Sequence, residues 1–287
     1  HVFPRMARMK LPGKPFFISE WDMPWPNSYR AEGPIYYAAV GALQNWSGFT
    51  IHTYAYSTRL DKMDVLGKEL STPVAGVPYR EGIFSTWNDP AKFGLFYHSA
   101  LITRRCDVTP ATKKVAVCYD SIVKESNAAM QGLLEQHKAG VVTENKLPAG
   151  YDELVMCDEK CPSPTPGILA SDNGQLWRDL NRQIATVDTP RTKCSYGFLA
   201  KNGVQQLNGV SIDCKTDFAV VAMSSLTDDA ITSSNNILLT AVGRARNTDS
   251  KFEGDLMLDI GKPPVEIEVI EADITIETAV EGLKVWA

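Results

Sequence analysis

The sequence of 287 residues has few histidines and cysteines, the side chains that most often bind zinc. It contains four histidines and six cysteines, and its one close cysteine pair is Cys157 and Cys161. Because a zinc site needs a second such pair or histidines at matching spacing, the pattern predicts no metal site. Unpaired thiols are typical of reducing compartments, so this cysteine usage favours a cytoplasmic location over export.

The chain also lacks long apolar runs and a large excess of charge of one sign. Its apolar runs are far shorter than the ~20 residues that a transmembrane helix needs. The formal net charge of −5 provides no electrostatic attraction to nucleic acid or to an anionic membrane. The sequence has no glycine-rich phosphate loop, and no organic cofactor is predicted.

An apolar run near the N-terminus ends in a carboxylate. Residues Phe16–Ile18 have the length and apolar character of a strand buried on both faces, the type found in parallel sheets that helices cover. Glu20 stands at the carboxyl end of this strand. Residues 29–48 repeat apolar side chains at helical spacing, which predicts an amphipathic helix, and residues 49–56 predict a second strand. This strand–helix–strand order indicates a parallel sheet.

The rest of the chain changes from mixed to mainly strand-like patterns. Helices are predicted at residues 88–105 and 126–137, with a strand at residues 115–119 between them. From Gly174 onward, short strand patterns recur at roughly ten-residue spacing with turn residues between them. That spacing is typical of an antiparallel sandwich.

Four segments resemble parts of the clan-A glycoside hydrolases, a TIM-barrel superfamily that includes cellulases and β-galactosidases. Phe17–Trp21 resembles the seventh barrel strand with its nucleophilic glutamate, and residues 29–46 resemble the seventh helix. Ile51–Tyr56 resembles the eighth strand. Residues 187–192 resemble the β-sandwich that follows the barrel in large bacterial members.

The resemblance implies an α/β plus all-β fold class. Residues 1–113 would form the C-terminal portion of a (β/α)8 barrel, with its strands 7 and 8 and their helices. Residues 114–287 would form an accessory antiparallel β-sandwich domain, truncated at its end. Because a whole barrel takes ~250 residues, we interpret the chain as a fragment and expect a companion N-terminal polypeptide that completes the barrel.

The resemblance further implies an enzyme, a glycosidase that hydrolyses a β-linked glycan by retaining double displacement. Such enzymes use two carboxyl groups ~5–5.5 Å apart, one as nucleophile and one as acid/base. Glu20 occupies the nucleophile position. Since no residue here matches the family's acid/base glutamate, the companion polypeptide is expected to supply it. The alternative role for Glu20 is a solvated carboxylate paired with Arg30.

Aromatic and polar residues near Glu20 are predicted to bind an oligo- or polysaccharide substrate. Aromatic rings can pack against the C–H faces of sugars, although ordinary packing accounts for the same rings. A satisfied core histidine is an equal alternative for His52, and Arg30 is expected to brace its loop. Trp177 and the other aromatic residues of the sandwich are assigned to packing. The predicted substrate-binding residues are Trp21, Trp25, Asn27, His52, Tyr54 and Tyr56.

The competing interpretation is not enzymatic. In it, the chain is a carbohydrate-binding or assembly module that carries a degenerate remnant of a barrel. An isolated barrel portion would expose sheet edges and apolar surface, so this interpretation also requires a partner.

Overall fold

The computed structural model describes residues 3–54, 86, 89–119, 127–157, 167–254 and 256–287. Tyr56, Cys161 and nearly all of the loop after residue 56 lie outside the described residues. None of the described helices is long and apolar enough to cross a membrane. The four α-helices in the described part of the chain are α1 (Phe3–Ala7), α2 (Glu32–Leu43), α3 (Phe96–Arg104) and α4 (Asn127–Gln136).

Strands dominate the described part of the chain, which contains eighteen of them. The first nine are β1 (Phe17–Trp21), β2 (Gly48–Ile51), β3 (Lys114–Tyr119), β4 (Lys138–Val142), β5 (Glu153–Cys157), β6 (Ile168–Ala170), β7 (Leu176–Asp179), β8 (Ile184–Asp188) and β9 (Thr192–Gly197). The others are β10 (Gln205–Leu207), β11 (Val210–Cys214), β12 (Ala219–Ser225), β13 (Ile237–Val242), β14 (Ala245–Thr248), β15 (Lys251–Glu253), β16 (Leu256–Asp259), β17 (Lys262–Ile267) and β18 (Ala272–Ile276).

Strands β1 and β2 form a parallel pair, as the sequence predicted. The backbone N–H of Ser47 donates to the carbonyl of Phe16 at 2.8 Å at one end of the pair. At the other end, the N–H of His52 donates to the carbonyl of Trp21 at 2.9 Å. Both strands therefore finish at the same edge, which places the residues that follow them side by side.

Helix α2 connects the two strands and lies between two hydrophobic cores. Ile35 and Ala39 belong to the core beneath the large antiparallel sheet, whereas Tyr37 and Val40 belong to the core around β1. A helix that is apolar on all sides is a buried helix, and nearly every residue of α2 is buried. The sequence predicted an amphipathic helix for this segment. The helix is confirmed, but its amphipathic character is wrong, since α2 has no broad side that faces solvent.

The predicted fold class, with the C-terminal portion of a (β/α)8 barrel ahead of an antiparallel sandwich, is wrong. Within the described residues, β1 and β2 make a sheet of two strands, and the other parallel sheet is separate, in the order β4–β3–β5. Strand β1 is buried at Ile18 and Trp21 but exposed at Phe17, Ser19 and Glu20, so the expectation that both faces are covered is also wrong. The prediction failed because a strand–helix–strand unit has the same sequence pattern in a barrel and in a two-stranded sheet.

Strands β3, β4 and β5 form the second parallel unit, in which β3 pairs with β4 on one side and β5 on the other. Val117 of β3 and Leu134 of α4 lie in the same hydrophobic core as Ile18 and Tyr37. The unit therefore packs with β1 and α2, although the predicted domain boundary at 113/114 assigned it to the sandwich. The division of the chain at that boundary stays a prediction.

The C-terminal half contains a six-stranded antiparallel sheet in the order β13–β12–β9–β8–β7–β6. Every residue of β12 is buried, because the sheet is covered on both faces. Val220 and Ala222 face the core shared with α2 and α3, while Val221 and Met223 face the opposite way. On that side the sheet shares a core with the three-stranded sheet β10–β11–β18, for example at Ile212.

A buried histidine ties α3 to the six-stranded sheet. His98 Nδ1 lies 2.8 Å from Ser224 Oγ, and its Nε2 lies 2.9 Å from Thr240 Oγ1. Both contacts suit a neutral imidazole, in which one nitrogen donates and the other accepts. Burial of the ring lowers the pKa of His98 from 6.5 to about 4.

We expect His98 to make the protein less stable as the pH falls from 6.5 toward 4, by up to about 3 kcal/mol. In that window the unfolded chain protonates this histidine while the folded chain does not, so protons stabilise the unfolded state. The His98→Gln variant can make both hydrogen bonds without titrating. Urea unfolding of the two proteins at about pH 7 and about pH 4 measures the effect. An identical pH dependence in both would contradict the prediction.

Candidate functional site

Glu20 stands near the end of β1 and faces solvent. Its side chain is 68% exposed, whereas Trp21, the next residue, is 4% exposed. The register between β1 and β2 shifts between Ile18 and Trp21. Such an irregularity re-aims the side chains of a strand, and here Ser19 and Glu20 both point outward.

The imidazole of His52 lies beside the Glu20 carboxylate. His52 Nδ1 lies 3.6 Å from Glu20 Oε1, within ion-pair distance. The backbone hydrogen bond from His52 to Trp21 holds the two side chains at the same edge of the parallel pair. Tyr54, two residues further on, is 66% exposed. A carboxylate beside an imidazole can attack an electrophilic carbon or exchange a proton with a bound substrate.

A chain of buried charges lies under the loop that follows Glu20. Lys92 Nζ donates to Asp22 Oδ1 at 2.7 Å and lies 3.8 Å from Asp89 Oδ2. Arg30 binds the same Asp89 with two hydrogen bonds, from Nε at 2.7 Å and from Nη2 at 3.0 Å. The side chains of all four residues are at most 5% exposed. Two cations and two anions thus neutralise one another in the interior.

The alternative role considered for Glu20 paired its carboxylate with Arg30, whereas in the structure Arg30 pairs with Asp89. Arg30 also donates to the carbonyl of Asn27 at 3.1 Å and to that of Ala245 at 3.1 Å. The first bond braces the loop after Glu20, as the sequence predicted. The second joins this loop to β14, which the sequence did not indicate.

The Asp22 carboxyl is perturbed by its burial. Burial raises the pKa of Asp22, and the Lys92 ammonium opposes the rise in part. Its Oδ2 atom is buried and has no hydrogen-bond partner among the described residues. Nothing in the local sequence indicates this burial, because Lys92, the partner of Asp22, lies seventy positions away along the chain.

Three of the other predicted substrate contacts are engaged within the protein. The centroids of the Trp21 and Tyr37 rings lie 4.2 Å apart. Trp25 is buried, with 4% of its surface exposed. The side-chain oxygen of Asn27 accepts a hydrogen bond from the N–H of Tyr29 at 2.8 Å, which closes a local turn. Their contacts with sugar stay predictions, as does that of Tyr56, which lies outside the described residues.

A second buried charge cluster joins α2, α4 and β7. Arg178 Nε donates to Glu135 Oε2 at 2.7 Å, and Tyr36 Oη donates to the other oxygen at 3.1 Å. Burial also raises the pKa of Glu32, at the start of α2, against the opposing effect of Arg178. The cavity beside these residues measures about 10 Å³, which is room for about one water molecule. The cluster therefore stabilises the fold and is too enclosed to bind a substrate.

No group of three histidine, cysteine, aspartate or glutamate side chains in the described ranges could hold a metal ion. The cysteines Cys106, Cys118, Cys194 and Cys214 are free thiols, and Cys106 is the exposed one among these four. The candidate site thus consists of Glu20, its neighbour His52 and the exposed ring of Tyr54. Comparison of the chain with protein-family models, with curated proteins and with solved structures found no match.

Proposed function

We propose that this protein is a glycoside hydrolase that cleaves a β-linked glycan by double displacement, with Glu20 as the nucleophile. The observation that carries the proposal is the solvent-facing Glu20 carboxylate, which lies 3.6 Å from His52 at the shared end of two parallel strands. A nucleophile must reach a substrate and keep its orientation, and this position meets both needs.

The surroundings of Glu20 support a fixed orientation. The backbone of β1 is paired with β2 on one side of Glu20, and Trp21 anchors the strand in the core on the other. Beyond it, the bond between Asp22 and the fully buried Lys92 holds the start of the loop. Reactive side chains on such supported elements lose little entropy when the substrate binds.

The proposed reaction has two steps. The Glu20 carboxylate attacks the anomeric carbon, and the bond from that carbon to the leaving oxygen breaks as the oxygen takes a proton from an acid. Water then attacks the anomeric carbon of the glycosyl ester and gives its proton to the conjugate base of that acid, while the bond to Glu20 breaks and restores the carboxylate. We assign His52 the role of orienting the carboxylate, and Tyr54 that of an aromatic surface for the sugar.

The source of the proton in the first step is a separate question. The sequence predicted that a companion N-terminal polypeptide supplies the acid by completing a barrel. The companion polypeptide was expected because the chain was expected to form part of a barrel. The described residues form no portion of a barrel, so the companion polypeptide stays a prediction without support from the fold. A substrate whose leaving group needs no proton allows Glu20 to be tested by itself.

Activated fluoro-β-glycosides with a dinitrophenolate leaving group are such substrates. We expect one of the glucose, galactose, mannose or xylose derivatives to attach its fluorosugar to Glu20, because the first step then needs only the nucleophile. Intact-protein mass spectrometry detects the added mass, and peptide mapping locates it. The Glu20→Gln variant should take up no label, while Glu144→Gln, an exposed glutamate outside the site, should be labelled like the wild type.

Label on a different carboxylate would assign the nucleophile elsewhere. If none of the four sugars labels the folded protein, the non-enzymatic interpretation, a carbohydrate-binding or assembly module, takes the place of this proposal.

A further inference from the structure

A second concave site lies on the part of the six-stranded sheet formed by β7 and β8. The pocket measures about 370 Å³, within the range of small-molecule sites in proteins. It is bounded on the other side by β10, and it includes none of the residues around Glu20. The lining residues that matter chemically are Trp177, Arg182, Thr186, Asp188 and Gln206.

Trp177 supplies an aromatic wall. Along β7, Leu176 points into the core shared with α2, so Trp177 projects from the opposite face of the sheet. Its indole packs against the edge of the sandwich core and also lines the pocket, beside its strand partner Thr186. Packing from behind keeps the ring in place, as a stacking surface for a flat apolar ligand face requires.

Asp188 supplies a fixed acceptor. One of its carboxylate oxygens accepts a hydrogen bond from Lys193, whose side chain is 3% exposed. The other oxygen accepts from the N–H of Asn208 at 2.9 Å. A carboxylate has about four lone-pair sites, so these two bonds orient Asp188 and leave capacity for a ligand.

Arg182 supplies donors on the same pocket. Its Nε donates to the side-chain oxygen of Asn202 and its Nη2 to the Asn202 carbonyl, each at 3.0 Å. The guanidinium is thereby held in place, and its further N–H groups can donate to a ligand. Gln206, which is exposed, adds an amide that can both donate and accept.

We propose that this pocket binds one or two rings of a neutral oligosaccharide. The apolar face of a sugar stacks on Trp177, while its hydroxyls donate to Asp188 and accept from Arg182. The Asp188 carboxylate disfavours an anionic ligand such as a phosphate, and the Arg182 guanidinium disfavours a cationic ligand such as an amine, so the lining favours a neutral ligand. The site is independent of Glu20 and would keep the chain on its glycan whether or not the chain cleaves it.

Isothermal titration with cello-, xylo-, manno- and laminari-oligosaccharides tests the proposal in the Glu20→Ala background, which prevents hydrolysis through Glu20. We expect at least one series to bind, and Trp177→Ala to weaken its binding about tenfold or more. Trp286→Ala is the matched control, because Trp286 is 86% exposed and lies outside the pocket. That variant should bind like its parent.

Trp177 also packs against the sandwich core, so its variant could unfold. In that case the Arg182→Gln variant, which changes an exposed residue, decides whether the pocket binds sugar. We expect this variant to weaken binding about threefold or more. The proposal is overturned if no series binds, if adenosine binds as well as the sugars, or if both pocket variants keep the parental affinity. Failed labelling of Glu20 with intact binding here would reject the hydrolase proposal alone.

Discussion

Replacement of Glu20 by glutamine is expected to lower the hydrolysis of activated β-glycosides by about a thousandfold or more. Glutamine has nearly the same shape as glutamate, but its amide cannot attack the anomeric carbon, so the covalent step is lost. The measurement is kcat/KM on dinitrophenyl β-glycosides, with the sugar chosen by the labelling experiment. Circular dichroism should show unchanged folding, because Glu20 is exposed and its removal leaves no buried group unpaired.

A chemical rescue distinguishes a nucleophile from a residue that only shapes the site. In Glu20→Ala, the missing carboxylate leaves space that formate can occupy, and added sodium formate should restore part of the turnover. Glu20→Gln has no such space and should not respond. Glu144→Gln should retain the wild-type rate. A Glu20→Gln protein that turns over like the wild type would end the assignment of Glu20.

Replacement of Asp89 by alanine is expected to lower the free energy of unfolding by about 3–5 kcal/mol. Asp89 is the shared anion between two buried cations, Arg30 and Lys92, which are 2% and 0% exposed. Without Asp89, the group keeps two buried cations and one anion, Asp22, so one positive charge is left uncompensated in the interior. Urea unfolding monitored by tryptophan fluorescence measures the loss.

An exposed ion pair provides the matched control for Asp89. Asp249 and Lys262 are 65% and 66% exposed, so water screens their attraction. Lys262→Ala should therefore leave the unfolding midpoint almost unchanged. A double variant combines Arg30→Met with Asp89→Ala. Its free energy of unfolding should fall by less than the sum of the losses in the two single variants, since removing both partners leaves fewer unpaired charges. Strict additivity would show that the two residues do not act as a pair.

Local elements were predictable because their signals are local. The strand at 115–119 and the helix at 126–137 are confirmed by β3 and α4, which differ from them by one residue at most at each end. The parallel pairing of β1 and β2 is confirmed as well. Each prediction depended on side-chain periodicity and turn residues within a short window, and these favour the same local structure wherever the segment packs.

The architecture was not predictable from the same signals. The apolar character of Phe16–Ile18 arises from one buried face and an exposed Phe17, not from burial on both faces. The small apolar residues of α2 arise from its position between two cores. Composition alone does not distinguish these arrangements, because it records how apolar a segment is and not how many neighbours cover it.

By itself, the sequence determined that the segments around Glu20 and His52 belong to neighbouring parallel strands. Their approach to 3.6 Å was seen only in the structure. Only the tertiary structure decided the rest of the site. It turned Glu20 outward and Trp21 inward, and it paired Arg30 with Asp89. These outcomes depend on contacts between residues distant along the chain, and such contacts form only once the sheets and helices have packed.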